Sequence, residues 1–135
     1  MDRVVSAVEA HRLYFEQIKP VPFLDDTTTK NVMVHNGKLS GIVDVDEVCF
    51  GDPLLTVALT RMSLLQGQHE LNYIEYWKSF IEPDLNQEAA LDIYTAMYCV
   101  IFMGEIGQKF NKDSPSPVDP DRIRLYEQIL DELLA

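Results

Sequence analysis

The chain has 135 residues, 47% hydrophobic and 24% charged, enough for a single domain (residues 1–135) with a small core and too apolar for wholesale disorder. Its formal net charge of -11, from 22 acidic against 11 basic residues, argues against a nucleic-acid partner, because phosphate backbones are held by clustered Lys and Arg; a cationic partner, a bound metal or solubility alone suits it better. Cys49 and Cys99 lie far apart without ligand spacing, and there is neither an apolar signal core after Met1 nor a run long enough to span a bilayer, so zinc, a disulfide framework, secretion and membrane insertion are not expected and a cytoplasmic setting is the simplest.

In chain order, Val4, Val5, Val8, Tyr14, Phe15 and Ile18 recur at helical spacing until Pro20 and Pro22 end the pattern, which predicts one amphipathic helix over residues 4–18. A short strand over 21–24 follows, confined by Pro22 to an edge or an irregular entry. Residues 25–30 are polar, without periodicity, and read as a loop. Residues 31–35 and 38–43 flank Asn36-Gly37, the dipeptide best suited to the positive φ angles of a two-residue hairpin turn. An antiparallel pair of this kind makes Asn31 and Asp44 neighbours.

Beyond residues 47–50, Asp52 is placed to cap a helix and Pro53 to open it. That helix, 54–65, is apolar on most sides, reads as buried, and is stopped by Gly67. A third helix is expected over 70–81, with Leu71, Ile74, Trp77 and Ile81 on one stripe and Pro83 beyond. A fourth runs from near Asn86 toward Phe110, presenting Leu91, Tyr94, Met97, Tyr98, Ile101 and Phe102, with Gly104 and Gly107 weakening its end. Residues 112–117 are linker-like but too short to separate domains. Asp119-Pro120 then opens a last helix that turns Ile123, Tyr126, Ile129, Leu130 and Leu133 inward. The expected fold is α+β, mostly α: a small β-hairpin set among about five helices.

Chemistry concentrates in residues 24–53, which gather Asp25, Asp26, Asn31, Asp44, Asp46 and Asp52 between apolar segments. Asp26, Asn31 and Asp44 converge at one end of the small sheet. Magnesium takes oxygen ligands and keeps several waters, so an Asp and an Asn suffice when substrate phosphates complete the shell. Asp26 is then free to accept or orient a hydroxyl proton, the division of labour seen in phosphoryl transfer. Asp and Asn are also the commonest loop residues, and an isolated D-x-x-x-x-N spacing has that ordinary explanation. Lys30 reads as a solvated loop lysine, His11, His35 and His69 as surface or capping residues, and Tyr73, Tyr76, Trp77, Tyr94 and Tyr98 as core rather than a pocket for a cation.

The order of motifs resembles the C-terminal lobe of the aminoglycoside phosphotransferase and choline kinase family, which shares the protein-kinase-like fold. There an H-G-D-x-x-x-x-N loop precedes a hairpin, an I-D-W-E type segment and a G-D-P helix start. Here Leu24-Asp25-Asp26 with Asn31, Val43-Asp44-Val45-Asp46 and Gly51-Asp52-Pro53 stand in that order. The resemblance implies Asp26 as the catalytic aspartate, Asn31 and Asp44 as magnesium and nucleotide ligands, and ATP and Mg2+ as cosubstrates. The acceptor it implies is a small-molecule hydroxyl, cationic in one form. Leu24 and Asp25 replace the family's His and Gly, and Thr56 stands where an Asp commonly follows the Gly-Asp-Pro turn.

No glycine-rich phosphate loop or strand lysine paired with a helix glutamate occurs. ATP therefore has half a cleft, as expected of a fragment, a degenerate descendant, or a half-protein completed by a partner chain. Two functions follow: a phosphotransferase lobe inactive alone, or a noncatalytic interaction module that keeps the lobe's fold. The partner is accordingly the missing nucleotide lobe or a second copy in a homodimer.

Overall fold

The computed structural model describes residues 2–109, 113–115 and 117–135. Helices, a short 3-10 turn included, hold 58% of the described residues and strands 13%, so the architecture is α+β and mostly helical. Its elements are α1 (Asp2–Ala10), α2 (Arg12–Gln17), β1 (Val21–Leu24), β2 (Val32–His35), β3 (Lys38–Ile42), β4 (Val48–Gly51), α3 (Leu54–Gln66), α4 (Asn72–Ile81), α5 (Leu85–Gly104) and α6 (Pro120–Leu133).

Six helices stand among the described residues where about five are expected, because the first breaks at His11. That residue leaves helical geometry (φ −108°, ψ 18°), and its Nδ1 lies 3.0 Å from the Ala7 carbonyl oxygen. The backbone N–H of His11 also reaches the Ala7 and Val8 carbonyls, each at 3.1 Å. The bond to Ala7 continues the helix, but the bond to Val8 takes the carbonyl that the Arg12 N–H would use in a continuing helix, and α2 restarts one residue later.

The four strands form two nested antiparallel pairs. The inner pair, β2–β3, turns at Asn36 (φ +50°) and Gly37 (φ +70°), the left-handed backbone that Asn-Gly tolerates. Between the Met33–Gly41 and Val34–Leu39 pairs, β3 carries one extra residue, Ser40, a bulge. The outer pair, β1–β4, sets Leu24 opposite Val48 and Val21 opposite Gly51. β4 is absent from the sequence expectation. Its four residues are too few for a visible alternation, and its strand form depends on pairing with a distant β1.

No residue of these strands is fully buried; the core belongs to the helices. Leu54, Val57, Ala58, Leu64, Ile74, Ala90, Leu91 and Tyr94 join α3, α4 and α5, with Tyr73, Trp77 and Tyr98 against them. A second cluster packs Met62 and Cys99 on Tyr126 and Ile129 of α6. Asp84 caps α5 in a reciprocal box with Gln87, and Asp119 caps α6 ahead of Pro120. Two expected inward residues of α5 face out, Met97 at 37% and Ile101 at 51% relative exposure, since α5 has more apolar faces than neighbours to cover them. Tyr76, at 65%, likewise lies outside the core. α5 ends at Gly104; its expected continuation to Phe110 and part of the 112–117 linker fall outside the described residues. Among the described residues no helix is long and apolar enough to cross a membrane.

Candidate functional site

The nested strands bring two loops to the same end of the molecule. β1 runs into residues 25–31, and the chain returns through residues 43–47 into β4, with Leu24 and Val48 paired between them. The inner hairpin closes the arrangement: the Val43 N–H donates to the Asn31 carbonyl at 2.9 Å. That bond sets Asn31 opposite Val43; Asp44, expected from the turn as the neighbour of Asn31, follows Val43 by one residue. Asp44 itself adopts φ +60°, a left-handed conformation that Asp tolerates better than most side chains.

Asp26 sits on its own loop as an Asx turn. Its Oδ1 accepts the Thr28 N–H at 3.1 Å and the Thr28 hydroxyl at 2.6 Å, while Oδ2 lies 2.9 Å from Lys30 Nζ. Partial burial pushes the Asp26 carboxyl up, but the Thr28 hydroxyl, Lys30 and the Thr28 N–H outweigh it and hold it below its ordinary 3.8. Lys30, exposed as expected of a loop lysine, is thus also the counter-ion of Asp26. Residues Thr29–Asn31 make a single 3-10 turn inside what the sequence presents as plain loop. That turn buries Asn31 and lets its Nδ2 donate to the Asp26 carbonyl at 3.0 Å.

The chemistry of this donor set suits a hard cation. Asn31, 6% exposed, uses its amide nitrogen on Asp26, leaving Oδ1 without a hydrogen-bond partner among the described residues. Asp44 is exposed and enters no hydrogen bond or ion pair among them. No group of three or more His, Cys, Asp or Glu among the described residues is placed to hold a metal. Asp46 is exposed near Asp44 in sequence and takes no bond there.

Two polar ties escape the sequence. The hydroxyls of Thr27 and Thr56 meet at 2.8 Å, fastening the Asp26 loop to α3. The second tie centres on Asp52, 6% exposed. Its Oδ1 accepts the Leu54 N–H at 3.0 Å, but the helix begins at Leu54, so Pro53 rather than Asp52 takes the cap position. Asp52 also accepts the Tyr14 hydroxyl at 2.7 Å and the Tyr94 hydroxyl at 3.3 Å. Burial first, then the Asp52 charge, pushes both phenols well above their ordinary range. Tyr98 is raised by burial, then by Asp25, Cys49 and Asp26. The groove lined by His11, Tyr14, Asp52, Ile81 and Asp84 contains none of Asp26, Asn31 and Asp44; Asp26 is half-buried, Asn31 buried and Asp44 exposed.

Comparison with known protein families, with curated proteins and with solved structures finds no match.

Proposed function

We propose that this chain is the C-terminal lobe of a small-molecule phosphotransferase of the aminoglycoside phosphotransferase and choline kinase type, truncated or degenerate, cytoplasmic, and inactive without a nucleotide lobe. The observation that carries this is the nested pairing: β1–β4 and β2–β3 bring the Asp26–Asn31 loop and Asp44 to one end, with the Val43 N–H on the Asn31 carbonyl. Asn31 Oδ1 and the Asp44 carboxylate would hold magnesium, whose charge offsets that of the ATP phosphate oxygens. Asp26 accepts the hydrogen bond of the acceptor hydroxyl and aims its oxygen. A carboxylate held below its ordinary pKa is a weak base, so orientation rather than early proton abstraction is its role, as suits a loose phosphoryl-transfer transition state. Lys30, beside Asp26, keeps that carboxylate ionised.

Manganese, a paramagnetic substitute for magnesium, tests the site without requiring turnover. Titrated into the chain and followed by NMR, it should broaden resonances of Asn31 and Asp44 first, and Asp44→Ala should abolish that selectivity. Broadening elsewhere, or unchanged in Asp44→Ala, would remove the assignment.

A second function is supported by a separate observation. Val34, Leu39 and Phe50 are 64%, 67% and 74% exposed, more aliphatic and aromatic strand surface than a solitary chain usually shows. It fits a noncatalytic interaction module that keeps the fold and docks a partner. Phosphoryl transfer by the chain alone would exclude it.

A further inference from the structure

We infer that Asn36, at the tip of the β2–β3 hairpin, is a site of spontaneous covalent modification: its side-chain amide closes on the Gly37 nitrogen to a cyclic imide, which water opens to aspartate or isoaspartate. The turn alone supports this, with no step of phosphoryl transfer, so the manganese experiment and the one below fail independently.

The position is open to this chemistry in sequence and in space. Of the chain's five asparagines only Asn36 precedes a glycine, so no side chain shields the nitrogen that has to approach Cγ. Both residues are exposed, and a Cβ placed on Gly37 would meet nothing within 4 Å. Among the described residues the Asn36 side chain makes no hydrogen bond and the Gly37 N–H donates to no backbone carbonyl. Asn31, by contrast, is buried and commits its Nδ2 to the Asp26 carbonyl, and Asn72 and Asn86 lie in the first turns of α4 and α5.

Positive φ at both Asn36 and Gly37, +50° and +70°, marks a two-residue loop whose central peptide turns the Gly37 nitrogen away from the Asn36 side chain. The reaction therefore runs through an opened tip. Opening is local and easy here: no residue of β2 or β3 is fully buried, the Ser40 bulge interrupts the pairing, and a two-stranded hairpin without a covering layer is marginal in water.

In the open tip the Gly37 nitrogen gives its proton to water and attacks Asn36 Cγ. A C–N bond forms, the Cγ–Nδ2 bond breaks, and Nδ2 leaves with an added proton as ammonia. Water then cleaves the imide at one of its two carbonyl carbons. Cleavage between Cγ and the Gly37 nitrogen leaves aspartate, which the left-handed loop accepts. Cleavage at the Asn36 main-chain carbonyl leaves isoaspartate, whose backbone runs through Cβ and is one methylene longer. Water enters, ammonia leaves, and nothing is oxidised or reduced. The lengthened loop no longer sets His35 opposite Lys38, and the hairpin that holds the Val43 N–H on the Asn31 carbonyl loosens.

Peptide mapping by mass spectrometry of the whole 135-residue chain, aged at physiological temperature in neutral buffer, tests this. Asn36 should gain the mass of a hydroxyl exchanged for an amino group, as two separable products, ahead of Asn72 and Asn86. The folded chain should convert within about tenfold of the rate seen in urea. Gly37→Asp tolerates the left-handed region and puts a Cβ beside the attacking nitrogen; it should slow conversion about tenfold, a chemical block that acts whether or not the hairpin closes. Hydrogen exchange at the Val43 amide should quicken in the isoaspartyl fraction and stay unchanged in freshly made Asn36→Asp. An Asn36 left intact by ageing, equal conversion at Asn72 or Asn86, a folded rate far below that in urea, an undiminished rate in Gly37→Asp, or a Val43 amide equally protected in the isoaspartyl fraction would overturn the proposal.

Discussion

The helical body and the strand segment are held by different forces. Around Leu91, Met62 and Tyr126 the chain excludes water, with side chains at 0–1% exposure, and stability there follows from apolar area and packing. Residues 21–51 contribute no fully buried strand residue; their conformation comes from short polar ties: Thr28 and Lys30 on Asp26, Asn31 on the Asp26 carbonyl, Val43 on Asn31, Thr27 on Thr56. A body fixed by packing tolerates little change in volume, whereas a segment fixed by hydrogen bonds is sensitive to the loss of single polar atoms. The residues with candidate chemistry all lie in the second region.

That contrast can be broken by substitution, and the largest effect is expected in the body. Leu91→Ala should lower unfolding free energy by about 3 kcal/mol, read from urea midpoints; a loss under about 1 kcal/mol would mean that the α3–α5 contact is looser than the burial of Leu91 implies. Where the two regions join, Asp52→Ala should cost about 2 kcal/mol, because the Tyr14 and Tyr94 hydroxyls and the Leu54 N–H lose one acceptor together. Asp52→Asn, which keeps an oxygen, should cost less. Equal costs would show that charge rather than hydrogen bonding is what Asp52 supplies.

On the loop, the expected effect is a pH dependence. Asp26 titrates below its ordinary 3.8 in the folded chain, so its stabilising contribution is complete above that value and is lost as the pH falls through the lower folded value. Lys30→Met should move the Asp26 titration, followed by carboxyl carbon NMR, upward toward 3.8 and shrink that acid-side loss. A downward or absent shift would disprove the pairing. The smallest effect belongs to the polar face of the hairpin: Met33→Thr, at a half-exposed position, should stay within about 0.5 kcal/mol.

Much of this fold is legible in the sequence wherever a few adjacent residues decide the matter. Asn36-Gly37 dictates its turn, and Asp119-Pro120 begins α6 at the residue expected. The break at His11 escaped because apolar periodicity continues through it while the His11 N–H takes the Val8 carbonyl. β4 and the Thr27–Thr56 tie escaped for a different reason, since each depends on a partner more than twenty residues away that no local pattern announces. Within the candidate site, the pairing of Asn31 with Val43, next to Asp44 in sequence, was legible through the hairpin. The Thr28 and Lys30 contacts that lower Asp26 required coordinates.

The nesting of the strands also sets an order of assembly. Pairing β1 with β4 before anything else would close a loop spanning residues 25–47, and the entropy lost in closure grows with the length of free chain. Once the Asn36-Gly37 turn has zipped β2 to β3, most of that span is already fixed, and only two short arms are left to meet. Local contacts form first where topology allows. The loops that carry Asp26 and Asp44 are therefore the last parts of the strand segment to come to rest.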